Sequence, residues 1–194
     1  MNSRYDGTGE SALGAGITIA GGPGPNKNFY NLTKGVNKNV TLYSDIEVEN
    51  KLQVVGTGRI RANGYDITVG GDWDMQNSIN FVPSTGQVIF NGSSAQTIDM
   101  PDNFSNLTIA NTAGVVSLIG NSQLRVSGTL TINNEANFDI NGKNLRKNAS
   151  TTNPVTLVNN GNLQLQGNET VYITPDTDSG LSLIHISEPT RPLS

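Results

Sequence analysis

The sequence predicts an all-β fold, a right-handed parallel β-helix (a solenoid) with coils of about 20–22 residues. Apolar residues recur in pairs two positions apart, such as Val40 with Leu42 and Ile46 with Val48. This spacing is typical of short strands with one buried face. Gly, Asn, Asp and Ser separate the pairs and favour turns, so three successive pairs make one coil. A β-sandwich is the alternative, although its turns usually recur at wider intervals.

The composition excludes several other classes of protein. Only 14% of the 194 residues are charged and 6% are aromatic, whereas 26 are Asn and 22 are Gly. A coiled coil or helical bundle would need more Ala, Leu, Glu and Lys, and no apolar run reaches the ~18 residues of a membrane-spanning helix. The net charge of −4 without a basic block argues against a nucleic-acid partner. Because the chain has no cysteine, disulfides and thiolate-bound zinc are excluded.

The apolar pairs also predict which side chains form the core. Both residues of a pair lie on the same side of a strand, and each coil must bury that side as it stacks on its neighbours. We expect the coils to cover roughly residues 36–173. The residues predicted to point inward are Val40, Leu42, Ile46, Val48, Leu52, Val54, Ile60, Ile67, Leu118, Leu124, Val126, Leu130, Ile132, Phe138 and Ile140.

The chain also aligns with itself. The segment that begins at Ile46 aligns with the one at Leu124, and the segment at Ile60 aligns with the one at Phe138. These alignments indicate two divergent units of about 75 residues. They divide the chain into an irregular N-terminal segment at 1–15, a solenoid at 16–180 and a tail of different composition at 181–194.

The tail contains no Asn or Gly and does not continue the apolar pattern. Residues 181–191, LSLIHISEPTR, resemble the translation of an adapter used in DNA library preparation. This resemblance implies a non-native tail, with native sequence ending near Gly180 and the natural chain continuing as further coils. We therefore expect self-association at the truncated end, because the last coil would expose an unpaired strand edge.

Three further elements resemble the repeats of large bacterial surface and secreted β-solenoid proteins of the adhesin type. They are Gly71-Asp72-Trp73, the stretch 86–98 (GQVIFNGSSAQTI) and the stretch 104–109 (FSNLTI). The resemblance implies an exported protein, extracellular or at the cell surface. The first sixteen residues contain no apolar stretch of signal-peptide length. We therefore interpret the chain as a fragment of a longer exported protein.

Two functional hypotheses follow. In the first, the solenoid is a structural and adhesive scaffold that makes weak contacts with glycans or other surface proteins. In the second, it is a carbohydrate-active β-helix enzyme, a polysaccharide lyase or hydrolase, which needs clustered carboxylates. Asp66, Asp72 and Asp74 are the candidate cluster, and Asp45 is expected to approach Asp66 from the preceding coil. Because solvated turn carboxylates are the simpler interpretation, we assign no catalytic residue.

Two local motifs give further candidate sites. Asp176 and Asp178 occupy alternate positions before Gly180, as at the start of a calcium-binding loop, although an Asx-rich turn would use the same residues. No cofactor other than Ca²⁺ is indicated. Trp73, the only tryptophan, is a candidate for stacking on a sugar ring, but packing in the core or at a corner is favoured for so large an aromatic side chain.

Overall fold

The computed structural model of the chain is a β-solenoid of about six turns built from stacked parallel strands, which confirms the all-β prediction. It describes residues 2–5, 17–19, 29–35, 37–77, 79–99, 103–120, 123–147, 154–175 and 185–186. Within those ranges every regular element is a strand, and none is a helix of the length and apolarity needed to cross a membrane. The predicted boundaries at residues 15 and 180 lie outside the described residues.

Most strands are short, and β5 is the longest with nine residues. In chain order the described strands are β1 (Asn2–Tyr5), β2 (Ile17–Ile19), β3 (Phe29–Lys34), β4 (Val40–Leu42), β5 (Ile46–Val54), β6 (Ile60–Arg61), β7 (Ile67–Val69), β8 (Trp73–Met75), β9 (Phe81–Val82), β10 (Gln87–Phe90), β11 (Gln96–Asp99), β12 (Asn103–Phe104), β13 (Asn106–Ile109), β14 (Val115–Ile119), β15 (Leu124–Val126), β16 (Thr129–Ile132), β17 (Asn137–Asp139), β18 (Leu145–Arg146), β19 (Val155–Asn159), β20 (Asn162–Leu165), β21 (Ile173–Pro175) and β22 (His185–Ile186).

The strands form three faces, each visited once per coil. Face 1 contains β7, β10, β13, β16, β19 and β21, and face 2 contains β1, β3, β8, β11, β14, β17, β20 and β22. Both belong to one fifteen-stranded sheet, because β5 turns the corner between them. The first part of β5 pairs with β7 and its last part pairs with β8. Face 3 contains a four-stranded sheet (β2, β4, β6, β9) followed by a three-stranded sheet (β12, β15, β18).

The coil length varies more than the sequence predicts. Asp45 and Asp66 are stacked at a separation of 21 residues, within the expected range. By contrast, Asp72 is stacked on Thr97 at a separation of 25 residues, and Asn144 on Thr170 at 26. The extra residues enter at turns, because a longer loop costs little free energy, whereas a slipped strand would turn its buried side chains outward.

The core is the one that the apolar pairs predict. All fifteen residues expected to point inward are buried, and Ile46 is the most exposed of them at 4%. Val40 pairs with Ile60 in the next coil, and Ile46 pairs with Ile67. Residues about one coil apart are therefore stacked neighbours, and their stacking forms a continuous hydrophobic core.

Two Asn-Gly pairs make similar corners. Asn63 and Gly64 have φ angles of 55° and 90°, and Asn141 and Gly142 have φ angles of 47° and 72°. All four therefore lie in the left-handed region that Gly and Asn tolerate best. In both turns the Asn side-chain amide donates a hydrogen bond to a carbonyl of the preceding coil, at 3.2 and 2.9 Å.

The corner between faces 1 and 2 contains a buried polar network. Gln96 donates from its side-chain amide to the carbonyls of Val69 (3.0 Å) and Gly71 (2.6 Å) in the preceding coil. Its side-chain oxygen accepts from the N–H of Gly92 and from the amide of Asn111, both at 2.9 Å. Because each buried amide has partners, the network links three successive coils without an unpaired polar group at this corner.

Candidate functional site

Asn and Asp side chains near the strand ends bind the backbone of the next coil. The side-chain oxygen of Asn39 accepts a hydrogen bond from the N–H of Arg59, and that of Asn106 accepts one from Thr129, both at 3.1 Å. We call this contact an Asx clamp. The described Asx clamps are formed by Asn31, Asn37, Asn39, Asp45, Asp66, Asp72, Asn106 and Asn144.

Two of the three candidate carboxylates are Asx clamps. Asp66 accepts a hydrogen bond from the N–H of Gln87 at 2.9 Å, and its own N–H donates to Asp45 at the same distance. Asp45 therefore lies beside Asp66, as the coil length predicts. Asp72 accepts from both the N–H and the hydroxyl of Thr97, each at 2.8 Å. These carboxylates are used to hold successive coils together.

The third carboxylate, Asp74, lies on the outer side of face 2. It accepts a hydrogen bond from the Gln53 amide at 2.7 Å and forms an ion pair with Lys51, with Nζ and Oδ2 separated by 2.6 Å. This is the one ion pair within the described ranges. Because both side chains are partly exposed, the pair contributes little to stability.

The three candidate carboxylates do not converge on one site. Asp66 lies at the beginning of face 1, whereas Asp72 and Asp74 lie on face 2. Each has its own hydrogen-bond partners. Among the described residues, no group of three or more His, Cys, Asp or Glu side chains is arranged to hold a metal ion. The remaining metal candidates, Asp176 and Asp178, lie outside the described residues, so the calcium loop stays a prediction.

Trp73 is fully buried, at 0% exposed, and therefore presents no ring face to a sugar. Its ring centroid lies 4.9 Å from Phe81, 5.4 Å from Phe104 and 6.3 Å from Phe90. These four aromatic residues come from all three faces and fill the centre of the solenoid. The structure therefore places Trp73 in the core, and the proposed sugar-stacking role is corrected because burial excludes contact with a ligand.

The arginines are gathered on one face, a grouping that the sequence patterns do not predict. All four arginines with described side chains, Arg59, Arg61, Arg125 and Arg146, lie on or directly beside the strands of face 3. Arg125 and Arg146 are paired neighbours on adjacent strands. Arg125 and Arg146 are 21 residues apart, within the predicted coil length, so that spacing could have revealed this pair, whereas its alignment with Arg61 depends on the register of the stacked coils.

The other two faces have different charge. Face 2 carries the acidic side chains of Asp72, Asp74, Asp99 and Asp139, with Lys51 as its outward cation and Lys34 as a buried one among the described residues. The outward residues of face 1 from β7 to β21 are uncharged: Thr68, Gln87, Ile89, Asn106, Thr108, Thr129, Thr131, Thr156, Val158 and Thr174. The solenoid therefore has one face that is neutral beyond the acidic side chains near β5 and β7, one mainly acidic face and one basic face.

Two ionisable groups have shifted pKa values. Burial lowers the pKa of Lys34, whose side chain lies in the core at 2% exposed, because the charged form is poorly solvated there. Burial acts to raise the pKa of Glu169, but hydrogen bonds from the N–H groups of Gln166 and Gly167 outweigh it, so that the pKa lies below its ordinary value.

Comparison with models of protein families, with curated proteins and with solved structures gives no match to this chain. The resemblance to adhesin-like repeats and the resemblance of residues 181–191 to an adapter therefore stay predictions. The geometry of the described residues carries the functional argument: a stacked β-solenoid whose acidic side chains mostly serve its own coils and whose three faces differ in charge.

Proposed function

We propose that this chain is a scaffold segment of an exported bacterial surface or secreted protein, whose solenoid makes weak, multivalent contacts with glycans or other proteins. The observation that supports this proposal is the arrangement of outward side chains in columns along the stack. On face 1, Thr108 pairs with Thr131, and Ile89 pairs with both Thr68 and Thr108. Such columns repeat small polar or β-branched groups at the strand spacing of about 4.8 Å.

A column of this kind suits contact with a repeating polymer. Each individual contact is small, because a threonine side chain offers one hydroxyl and one methyl group. Several equivalent contacts act together when the ligand or the protein is multivalent. The use of Asp66 and Asp72 as Asx clamps supports the same proposal, since these carboxylates are engaged in stacking the coils.

The proposal is tested by comparing monomeric and multivalent forms of the 194-residue chain. The chain is measured in solution, and also immobilised densely on beads, against neutral and acidic polysaccharides and a panel of surface proteins. We expect weak binding in solution and retention on the beads, because dense display raises the effective concentration. Failure of the beads to retain any glycan or protein would overturn the proposal.

The same samples test the alternative function. Each polysaccharide is incubated with the chain, and newly formed reducing ends are measured. We expect no increase above a sample without protein. A catalytic increase that is lost in the variant Asp72→Asn, while the fold is kept, would favour the carbohydrate-active enzyme.

A further inference from the structure

We propose that face 3 binds an acidic polysaccharide, whose carboxylate or sulfate groups are held by the arginine column of Arg61, Arg125 and Arg146. This inference rests on the proposed function and deepens it, because it names the class of glycan and the surface that binds it. The charged groups of such a ligand would act as counterions to these arginines, which the described part of the chain does not supply.

The arginines of face 3 have no acidic partner within the described part of the chain. Neither Arg61 nor Arg125 nor Arg146 forms an ion pair there. With the Gln123 amide oriented so that its oxygen faces Arg125, that oxygen accepts hydrogen bonds from Nε at 3.0 Å and from Nη2 at 2.5 Å, which orients the guanidinium group. In the next coil, the carboxylate of Glu169 already accepts from two backbone N–H groups.

The most concentrated charge lies at Arg125 and Arg146. These residues are paired on adjacent strands, about 4.8 Å apart, where two like charges repel each other. The guanidinium group of Arg146 lies 6.0 Å from the ring centroid of Tyr172, and its Nε is enclosed without a hydrogen-bond partner among the described residues. Nη1 of Arg125 and the terminal nitrogens of Arg146 thus belong to side chains on adjacent strands, and arginine N–H groups form strong charge-assisted hydrogen bonds with carboxylate and sulfate groups.

The column continues along the solenoid axis, which favours a polymer as the ligand. Arg61 lies on the same outward side of face 3, three strand spacings or about 14 Å from Arg125, and the intervening outward residues are Val82 and Asn103. An extended polysaccharide along this line meets cations at both ends. Between them, uncharged side chains can contact its sugar units, and Tyr172 adds an aromatic surface beside the arginine pair.

The charge of the whole protein favours an acidic polysaccharide over a nucleic acid. A nucleic acid has a phosphate at every nucleotide and requires many cations, whereas the net charge of this chain is −4. The acidic side chains of face 2 would repel a densely charged ligand. A polyuronate carries one carboxylate per sugar unit on a single chain, a lower charge density than the one phosphate per about 1.7 Å of double-stranded DNA, so fewer cations are needed to hold it.

The experiment uses the full 194-residue chain and isothermal titration calorimetry. The ligands are polygalacturonate, dextran sulfate, uncharged dextran and single-stranded DNA. The test variant is Arg125→Gln with Arg146→Gln. The matched control is Lys38→Gln with Lys51→Gln, which removes the same charge from the corner before β4 and from face 2. Circular dichroism and thermal unfolding establish that each variant keeps the fold.

We expect the arginine variant to weaken binding of polygalacturonate or dextran sulfate by about tenfold or more, while the control changes it by less than twofold. The variant Arg125→Lys with Arg146→Lys should give an intermediate loss, because it keeps charge without paired donors. A larger loss of binding for polygalacturonate would identify carboxylate as the bound group, and a larger loss for dextran sulfate would identify sulfate. Rising salt should weaken the wild-type interaction.

Three results would overturn the inference. Equal losses in the arginine variant and the control would show that only net charge matters, and DNA binding at least as tight as polysaccharide binding would show that the ligand class is wrong. Binding of uncharged dextran alone, unaffected by the arginine substitutions, would refute the basic surface but leave the proposed glycan scaffold intact. Absence of binding to every glycan and protein in the bead experiment would instead refute the proposed function.

Discussion

Replacing Asp72 with alanine tests whether the Asx clamps hold the coils together. Its carboxylate accepts two hydrogen bonds at 2.8 Å from Thr97, in the next coil, and the substitution leaves the partly buried N–H of Thr97 without this acceptor. A hydrogen bond to a charged group contributes about 1.5–3 kcal/mol. Allowing for partial solvation in the variant, we expect a loss of about 2 kcal/mol, or a fall in Tm of about 4–8 °C in a domain of this size.

Two further variants separate the clamp from other effects of the substitution. Asp72→Asn keeps a side-chain oxygen in the same place and should recover more than half of the loss. Asp99→Ala removes an aspartate from the next coil of the same face, where it forms no hydrogen bond or ion pair among the described residues. Its effect should lie within about 0.5 kcal/mol of zero, with slight stabilisation expected because Asp99 is paired beside Asp74.

Urea unfolding followed by circular dichroism measures the free energy of unfolding of all three variants. The reasoning is refuted if Asp72→Ala and Asp99→Ala cost the same, because the clamp would then contribute nothing beyond the loss of a carboxylate. It is also refuted if Asp72→Asn is as destabilising as Asp72→Ala, since the acceptor oxygen would then be irrelevant.

The buried side chains and the shifted pKa values give predictions for three other substitutions. Because the pKa of Lys34 is lowered in the folded state, the unfolded chain binds more protons. Wild-type stability, measured by thermal unfolding, should therefore rise with pH toward 10.5, and Lys34→Met should lack this contribution to the rise. Trp73→Ala should lower the free energy of unfolding by about 3–5 kcal/mol. In the wild-type protein, Trp73 fluorescence should resist quenching by acrylamide and stay unchanged when polysaccharide is added. Strong quenching would contradict the burial of Trp73. Glu169→Gln should lower the free energy of unfolding by less than about 1 kcal/mol at pH 7. Because the folded pKa of Glu169 is lowered, the stability that its carboxylate contributes is lost as the pH falls below about 4. A difference in Tm between variant and wild type that persisted at pH 2 would contradict this cause.

The sequence alone determined the class of fold and the core. A spacing of two between apolar residues is a local property of a strand, so it specifies which side of each strand is buried before any partner is known. Val40, Ile46 and Leu52 are buried as this pattern requires. The Asn63-Gly64 and Asn141-Gly142 corners were also readable, because positive φ is a local preference of these residues.

The roles of the candidate site residues depended on contacts between coils. Asp66 and Asp72 were recognised as acids near turns, but the backbone N–H groups that donate to them lie 21 and 25 residues further along the chain. A sequence pattern shows that such residues can bind a backbone N–H but does not show which one. For Trp73 the sequence favoured packing in the core or at a corner, but it did not show that the aromatic side chains enclosing it come from all three faces.

The tertiary structure also decided how the sequence repeat relates to the coil. The aligned segments at Ile46 and Leu124 lie on faces 1 and 3, and those at Ile60 and Phe138 lie on faces 3 and 2. The sequence repeat is therefore out of phase with the coils. Turns of different length advance the chain by different amounts, and the strand register that results is a property of the whole stack. This register brings Arg125 and Arg146 side by side, so the local sequence determined the solenoid and its core, whereas the stacking of the coils determined its charged faces.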